Sequence, residues 1–333
     1  MSVRYLITGA AGHLGGTIVR FLRRQGERVR ALVLPGDPAA KLLPPGVEIV
    51  EGNVCDASAA DLFSGELPEE KTVVIHAAGI VSIASREDPR VRAVNVGGTQ
   101  NVLALCRQYG VQKLVHVSSV HAIPELPGGE EIREVSHFSP DEVNGLYAKT
   151  KAEATQAVLD AAAQGLNASV VHPSGILGPY DPGHGHLTQL VIDYCRGGLT
   201  ACVRGGYDFC DVRDVAHGIL SCCQSGRSGE CYILSGRYCE IPELLEELHE
   251  ITGRKAVKTI LPRWFAGAAA PLAEAYYRLR RQPPLYTRYS LATLHSNAAF
   301  SHEKADRELG YRVTPLRVTL QDTVRWLGEQ GRI

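Results

Sequence analysis

Residues 3–16 read VRYLITGAAGHLGG. The run Val3–Thr8 is short, β-branched and largely apolar, the pattern of a strand buried on both faces. Gly9, Gly12 and Gly15 follow at three-residue spacing, and a helical pattern extends from about Gly12 to Gln25. Such a turn needs glycine for three reasons. It is tight, it must let a pyrophosphate approach bare backbone, and the helix behind it must pack close to the strand. The first N–H groups of that helix and its positive dipole end then face the anion. A glycine triplet alone is weak; between a first strand and a first helix it becomes a dinucleotide-binding fingerprint.

Outward from that turn the alternation continues. Val29–Leu34, Val47–Val50, Thr72–His76, Lys113–Ser118 and Ala168–His172 read as further short strands, with long helical patterns at about 88–109 and 144–164. Continuous apolar strands separated by helices imply a parallel sheet covered on both faces. Right-handed crossovers make it a doubly wound, Rossmann-type α/β fold. After Gly178 the pattern loosens into GPYDPGHGHL and shorter, mixed elements. The expected organisation is a dinucleotide-binding domain over 1–178, with segments around 201–235 returning to it, and a smaller, discontinuous substrate-binding part over 179–333. One helix there is well punctuated: Ile241–Thr252 carries Pro242 at its start and Gly253 just past its end.

Composition narrows the classes of partner. A net charge of -1 leaves no bulk attraction for nucleic acid or an anionic membrane. The nine cysteines are scattered without a C-x-x-C pair, so neither a zinc site nor a thioredoxin-like motif has its spacing. Reduced thiols and a cytoplasmic location are expected. A strand beginning at Val3 leaves no room for a signal peptide, and no apolar run reaches the roughly 18 residues of a membrane helix. The segment PRWFAGAAAPLAEAYYRLRR, residues 262–281, is read as a lid or core helix over a substrate pocket in preference to a membrane-surface helix. His184 and His186 lack a third partner at metal spacing, so no metal is expected. The expected partner is a small-molecule substrate; a homodimer is left open.

Two stretches carry the chemistry. The second strand ends in RVRALVLPGD, where an acidic residue favours NAD and an arginine NADP. Here Leu34 holds that position, Asp37 lies three residues on, and Arg30 sits well back along the strand. With no cation for a 2′-phosphate, the cofactor is expected to be NAD, with NADP left open. Downstream, LYAKTKAEA places Tyr147 and Lys151 four residues apart on one helix face. Reducing a carbonyl requires a proton donor for the developing alkoxide. A tyrosine serves if a neighbouring ammonium favours its phenolate and brings its pKa down from about 10. Ser118 and Ser119 end the strand KLVHVSS; alternation sends them to different places, and one should face the tyrosine.

With these motifs the chain resembles the extended short-chain dehydrogenase/reductase superfamily. The likeness rests on TGAAGHLGG, VIHAAG at 74–79, AVNVGGTQNVL at 93–103, VHVSS, HPSGILGP at 172–179, DVRDVAHG at 211–218 and SHEKADRELGYRVTPL at 301–316. Within it, QPPLYTRYSLATL at 282–294 is most similar to the dihydroflavonol reductase and 3β-hydroxysteroid dehydrogenase group. The resemblance implies that Tyr147 is the acid/base, that Lys151 tunes it and holds the nicotinamide ribose, and that Ser119 orients the carbonyl. It implies cofactor contacts from Gly9, Gly12, His13, Leu14 and Gly15, from Leu34, and from Asn53 and Val54 in the turn EGNVCD, where plain turn chemistry is the competing reading for Asn53 and Asp56. Further contacts fall on Ala77, Ala78, Gly79 and Asn95, on Val117 and Ser118 beside Tyr147 and Lys151, and on His172, Pro173, Ser174 and Ile176. His172 stands where an arginine is common. Substrate contacts fall on Ser82, Ser119, His121, Leu187 and Tyr207.

The implied reaction interconverts a ketone or aldehyde and an alcohol on a hydrophobic, steroid- or flavonoid-like substrate. The alternative is an NDP-sugar epimerase or dehydratase, which shares the fold and the Tyr–Lys pair. Such enzymes commonly place a diphosphate-binding arginine where this chain has Tyr207, and Asp208 and Asp211 are expected to repel a diphosphate there, with Arg204 and Arg213 as candidate rescuers. A non-enzymatic dinucleotide sensor would not need the intact Ser119, Tyr147 and Lys151.

Overall fold

A computed structural model describes residues 3–65, 71–82, 88–183, 185–262 and 288–333. The first strand β1 (Val3–Thr8) runs into helix α1 (His13–Arg24), followed by β2 (Arg28–Val33), β3 (Glu48–Glu51) and β4 (Lys71–His76). Helix α2 (Pro89–Arg92), a π-helical turn (Ala93–Gly98) and α3 (Thr99–Gln108) form one continuous rod that leads to β5 (Lys113–Val117). Helix α4 (Leu146–Ala163) and β6 (Ala168–Pro173) complete the first half.

The main sheet has seven strands, in the order β10-β6-β5-β4-β1-β2-β3, where β10 is Cys231–Leu234. Every pairing in it is parallel. The chain fills one side from β1 to β3, then crosses back to lay β4 against the other edge of β1. That reversal opens a crevice at the C-terminal ends of β1 and β4, where ligands of doubly wound sheets bind. Alternation divides the strands between two cores. Leu6, Val74, Leu114 and Val170 join Val102 of α3 and Val158 of α4 on one face. Ile7, Ile75, Val115, Val117 and Val171 join Ile18 of α1 and Ile219 of α6 (Val212–Ser225) on the other.

The remaining strands form two small sheets. In one, β7 (Gly175–Leu177) pairs parallel with β9 (Gly206–Asp211), which pairs antiparallel with β11 (Arg237–Glu240). In the other, β8 (Ala201–Val203) pairs with β12 (Thr259–Leu261). The segment returning to the main sheet is therefore narrower than the expected 201–235: it is α6 and β10, because Ala201–Val203 and Gly206–Asp211 are spent on the small sheets. Helix α5 (His186–Cys195) separates β7 from β8. Helix α7 (Ile241–Thr252) has the bounds expected, closing on Gly253 at φ 65, a left-handed position that suits glycine. The π-helical turn was not expected, since hydrophobic period alone does not separate it from α-helix. The expected lid helix at 262–281 and His184 lie outside the described residues, apart from Pro262 itself.

One face of the sheet carries an unusual polar seam. His76 and His116 are register partners on β4 and β5, and His172 on β6 shares their parity, so all three point under α3 and α4. They are buried. His76 bonds Thr8 Oγ1 at 2.7 Å through Nδ1 and Thr99 Oγ1 at 3.0 Å through Nε2. Burial pulls the pKa of His76 down to about 3 and of His172 to about 4, and lowers His116 as well. The fold holds these rings neutral, whereas the unfolded chain protonates them below about pH 6.5. Their depressed values mean that stability is intact above pH 6.5 and is lost as pH falls toward 4, by about 1.4 kcal/mol per pH unit for each histidine. The urea midpoint should therefore drop between pH 7 and pH 5; a midpoint that stays flat over that interval would contradict neutral burial.

Candidate active site

The crevice is built first from bare backbone. Gly9 has φ 68, and a Cβ there would lie 2.7 Å from the backbone of both Ala77 and Ala78. A Cβ on Gly15 would overlap the carbonyl oxygen of Gly9. No side chain caps the N-terminus of α1 at Gly12, and no acidic residue occupies its first turn. These N–H groups and the dipole behind them fit a pyrophosphate, so the residues present suit a dinucleotide. His13 Nε2 is bonded at 2.9 Å to the carbonyl of Pro179, fastening α1 to the loop after β7. Leu14 packs against the core between α1 and the sheet.

At the end of β2, Leu34 is 55% exposed and its carbonyl accepts the N–H of Asp37. The Asp37 side chain caps the following 3-10 turn at Ala39, and Glu51 accepts the N–H of Gly36. Two carboxylates thus border the loop after Leu34. Arg30 is paired with Glu48 and bonds the carbonyl of Leu62, back along the strand. In the next turn Asn53 accepts the N–H of Cys55 and Asp56 that of Ser58, which is turn chemistry. Val54 is buried beneath Gly98, whose Cβ would strike it.

The loop after β4 is clamped from two sides. Thr8 Oγ1 accepts the N–H of Ala78 at 3.2 Å, and Asn95 Oδ1 accepts that of Ile80 at 2.8 Å. Asn95 Nδ2 donates to the carbonyl of Ile80 and to Thr150 Oγ1 on α4, each at 3.1 Å. Asn95 is thereby a strut between the π-helical turn, the loop and α4. A Cβ on Gly79 would stand 3.3 Å from both Asn95 Oδ1 and Lys151 Nζ. Lys151 itself is buried and donates to the carbonyl of Val117 at 2.8 Å. Burial lowers its pKa to about 8. Thr8 and Thr150 were missed in the sequence; the only signal for Thr8 is its place directly before Gly9.

The two serines find different partners. Ser118 Oγ shares a 2.6 Å hydrogen bond with Thr155 of α4. Ser119 Oγ accepts the N–H of His121 at 3.2 Å in the short turn Val120–Ala122. The ring of His121 meets the buried Tyr147 edge-on at 5.9 Å and stacks on Tyr207 at 5.6 Å. Ser119, His121, Tyr147 and Tyr207 are thus brought together.

Other expected residues lie farther from this group. His172 stacks on Phe138 and bonds the Ser119 carbonyl at 2.9 Å through Nδ1, so it supports the serine from behind. Pro173 ends β6, Ser174 donates to Asp208, and Ile176 lies in β7. Leu187 packs onto the larger core from α5, and Ser82 lies beyond the exposed Val81. The expected repulsion of a diphosphate by Asp208 and Asp211 is not carried by the structure. Asp208 is buried and accepts from Ser174 and from the N–H of Gly236, and Asp211 caps α6 and binds Arg213 and Thr319. Strand alternation turns Asp208 away from Tyr207. Arg213 is held between Asp211 and Asp322, and Arg204 is exposed.

The fold and this grouping define a dinucleotide-dependent oxidoreductase of the extended short-chain type. Residues 5–234 match the model of the NAD dependent epimerase/dehydratase family, and the chain belongs to that family. It is 33% identical to sterol demethylase protein B of Methylococcus capsulatus, covering 98% of this chain and 99% of that one. It is 34% identical to a 4-hydroxy-2-methyl-3-oxo-4-farnesyl-3,4-dihydroquinoline-1-oxide ketoreductase of Stigmatella aurantiaca, covering 99% and 98%. Among solved structures, gox2253 superposes with a TM-score of 0.84 at 29% identity, covering all of both chains.

The glycine turn is testable in isolation. Gly15→Ala should weaken NADH binding at least about tenfold, roughly 1.4 kcal/mol, because its Cβ meets backbone that cannot rotate away. Gly16→Ala, whose Cβ would sit at an ordinary 3.5 Å from the Ala10 carbonyl, should bind normally. Equal NADH affinities in a fluorescence titration would refute this account of the turn.

Proposed function

We propose that the protein interconverts a ketone or aldehyde and an alcohol on a hydrophobic, ring-containing substrate, with NAD as cofactor. The observation that carries this reading is the convergence at the end of β5 of Ser119 and Tyr147, each against His121, and of Lys151 on the Val117 carbonyl. Ser119 spends an acceptor lone pair on the His121 N–H, which leaves its hydroxyl hydrogen to donate to a substrate oxygen. Tyr147 passes a proton to that oxygen in reduction and takes it back in oxidation. Lys151, held on the Val117 carbonyl, brings positive charge to the phenol and to the ribose of the cofactor. Gly9, Gly12 and Gly15 would hold the pyrophosphate, and the 77–80 loop would line the nicotinamide side. The bound nicotinamide supplies or removes the hydride.

The substrate wall is aromatic. Tyr207 meets Phe209 and Phe300 edge-on at 6.2 and 6.3 Å, a surface suited to a flat apolar ring. Relatives named for a sterol and for a ketoreductase support the same class. The sugar-nucleotide alternative is disfavoured by Tyr207 in place of an arginine and by the engagement of Arg213, no longer by repulsion from Asp208.

Tyr147→Phe should lower turnover at least about a hundredfold while leaving the NADH dissociation constant within about twofold; Lys151→Ala should damage both. Near wild-type turnover in Tyr147→Phe would sink the mechanism. Substrates are found by following NADH consumption over a panel of sterols, flavonoids and aldehydes, with UDP-glucose and dTDP-glucose alongside; micromolar binding of either sugar nucleotide would favour the epimerase. Because Asp37 and Glu51 border the ribose end, NADH should bind about tenfold more tightly than NADPH, a difference of about 1.4 kcal/mol. Tighter NADPH binding would reverse that assignment.

A further inference from the structure

The ring of His121 stands between two phenols, one on a helix and one on a strand of the small sheet. On one side it meets Tyr147 of α4 edge-on, with an interplanar angle of 72°. On the other it stacks on Tyr207 of β9 at 13°, and its Nε2 shares a 3.0 Å hydrogen bond with the Tyr207 hydroxyl. Tyr207 is itself wedged between the edges of Phe209 and Phe300. The flanking residues of the turn, Val120 and Ala122, are buried in the core, so His121 is the one side chain of the turn that points to the site.

We propose that Tyr207 and His121 form a brace: Tyr207 fixes the ring of His121, and His121 fixes the hydroxyl of Ser119 and the ring of Tyr147. Both are positioning residues for the carbonyl–alcohol chemistry, and the proposal rests on that reading of the site. A serine hydroxyl left to itself samples three staggered wells. The backbone N–H of His121 selects the orientation in which Ser119 accepts from the turn and donates outward. That N–H is only as well placed as the turn, which Val120 and Ala122 seat in the core and the His121 ring ties in addition to the second sheet. Burial favours the neutral imidazole, in which one ring nitrogen donates and the other accepts, so the phenol–imidazole bond forms in either tautomer. A satisfied polar pair against an aromatic wall is held in place, because any departure breaks the bond of the buried Tyr207. The brace makes the small sheet that carries the substrate wall also the support of the catalytic turn.

A double-mutant cycle with Tyr207→Phe and His121→Ala tests it, using two carbonyl substrates of different size. Tyr207→Phe keeps the ring and deletes only the hydroxyl. It should lower kcat by about fivefold to tenfold, by the same factor for both substrates, with KM and the NADH dissociation constant within about twofold. In the His121→Ala background the same change should cost less than about twofold more, and His121→Gln, which keeps an amide within reach of Tyr207, should recover part of the rate. Losses that multiply, or a KM that rises for one substrate while kcat holds, would overturn the brace and make the Tyr207 hydroxyl, and not only its ring, a direct substrate contact. A substrate-free readout separates failure of the brace from failure of the reaction. The phenolate absorbance that Tyr147→Phe removes reports ionisation of Tyr147, and Tyr207→Phe should move its midpoint by about half a pH unit or more. An unmoved midpoint refutes the brace, whereas absence of carbonyl turnover in the wild type refutes only the reaction.

Discussion

The structure depends on one close approach: the backbone of Gly9 against that of Ala77 and Ala78. It occurs at the reversal between β1 and β4, and it is possible only because Gly9 has no Cβ. Everything functional is measured from it. It brings the loop after β4 over the end of β1, where Thr8 and Asn95 clamp it. It sets Gly79 beside Lys151 and so places the lysine relative to the dinucleotide turn. A larger residue at Gly9 would part the glycine turn from the loop after β4, and so from Lys151 beside Gly79.

The surroundings of Lys151 explain why a buried lysine is tolerated. No carboxylate faces Lys151 among the described salt bridges. Its ammonium is held by the Val117 carbonyl, and its charge acts on the three buried histidines of the seam, His76, His116 and His172, helping to keep them neutral. An unpaired buried cation is costly, and here that cost appears as a lowered proton affinity. A carboxylate partner would neutralise the charge that the proposed mechanism asks of Lys151. The polar but uncharged seam stabilises the surroundings without competing for the lysine.

Much of this was legible in the sequence because it follows from local rules. Strand runs, helix punctuation at Pro242 and Gly253, and the three glycines each declare themselves through backbone chemistry. The spacing of Tyr147 and Lys151 is a helical period, and resemblance to a superfamily supplied the expectation that Ser119 belongs with them, which the structure places beside His121 and Tyr147. What was not legible is long-range. That Ala201–Asp211 supplies small sheets and only α6 and β10 return to the main one depends on pairings between distant segments. The direction of Asp208 depends on the partners that β9 finds, Ser174 and Gly236. The pairing of Tyr207 with His121 spans 86 positions, and no spacing rule links them.

The π-helical turn at Ala93–Gly98 has a consequence for how this scaffold can change. A π turn is in effect an α-helix with one residue inserted, and one residue is about 100° of rotation. The residues of α3 that pack over the sheet, Val102, Leu103 and Cys106 among them, are in register only because that extra residue precedes them. The same turn carries Asn95, which ties the loop to Thr150. Deleting one residue to regularise the helix would swing either the apolar face of α3 or the amide of Asn95 away from its partners. The length of this rod is therefore fixed jointly by the core and by the site: a single-residue indel here is a change in catalytic geometry, whereas one in a surface loop is a change in contour.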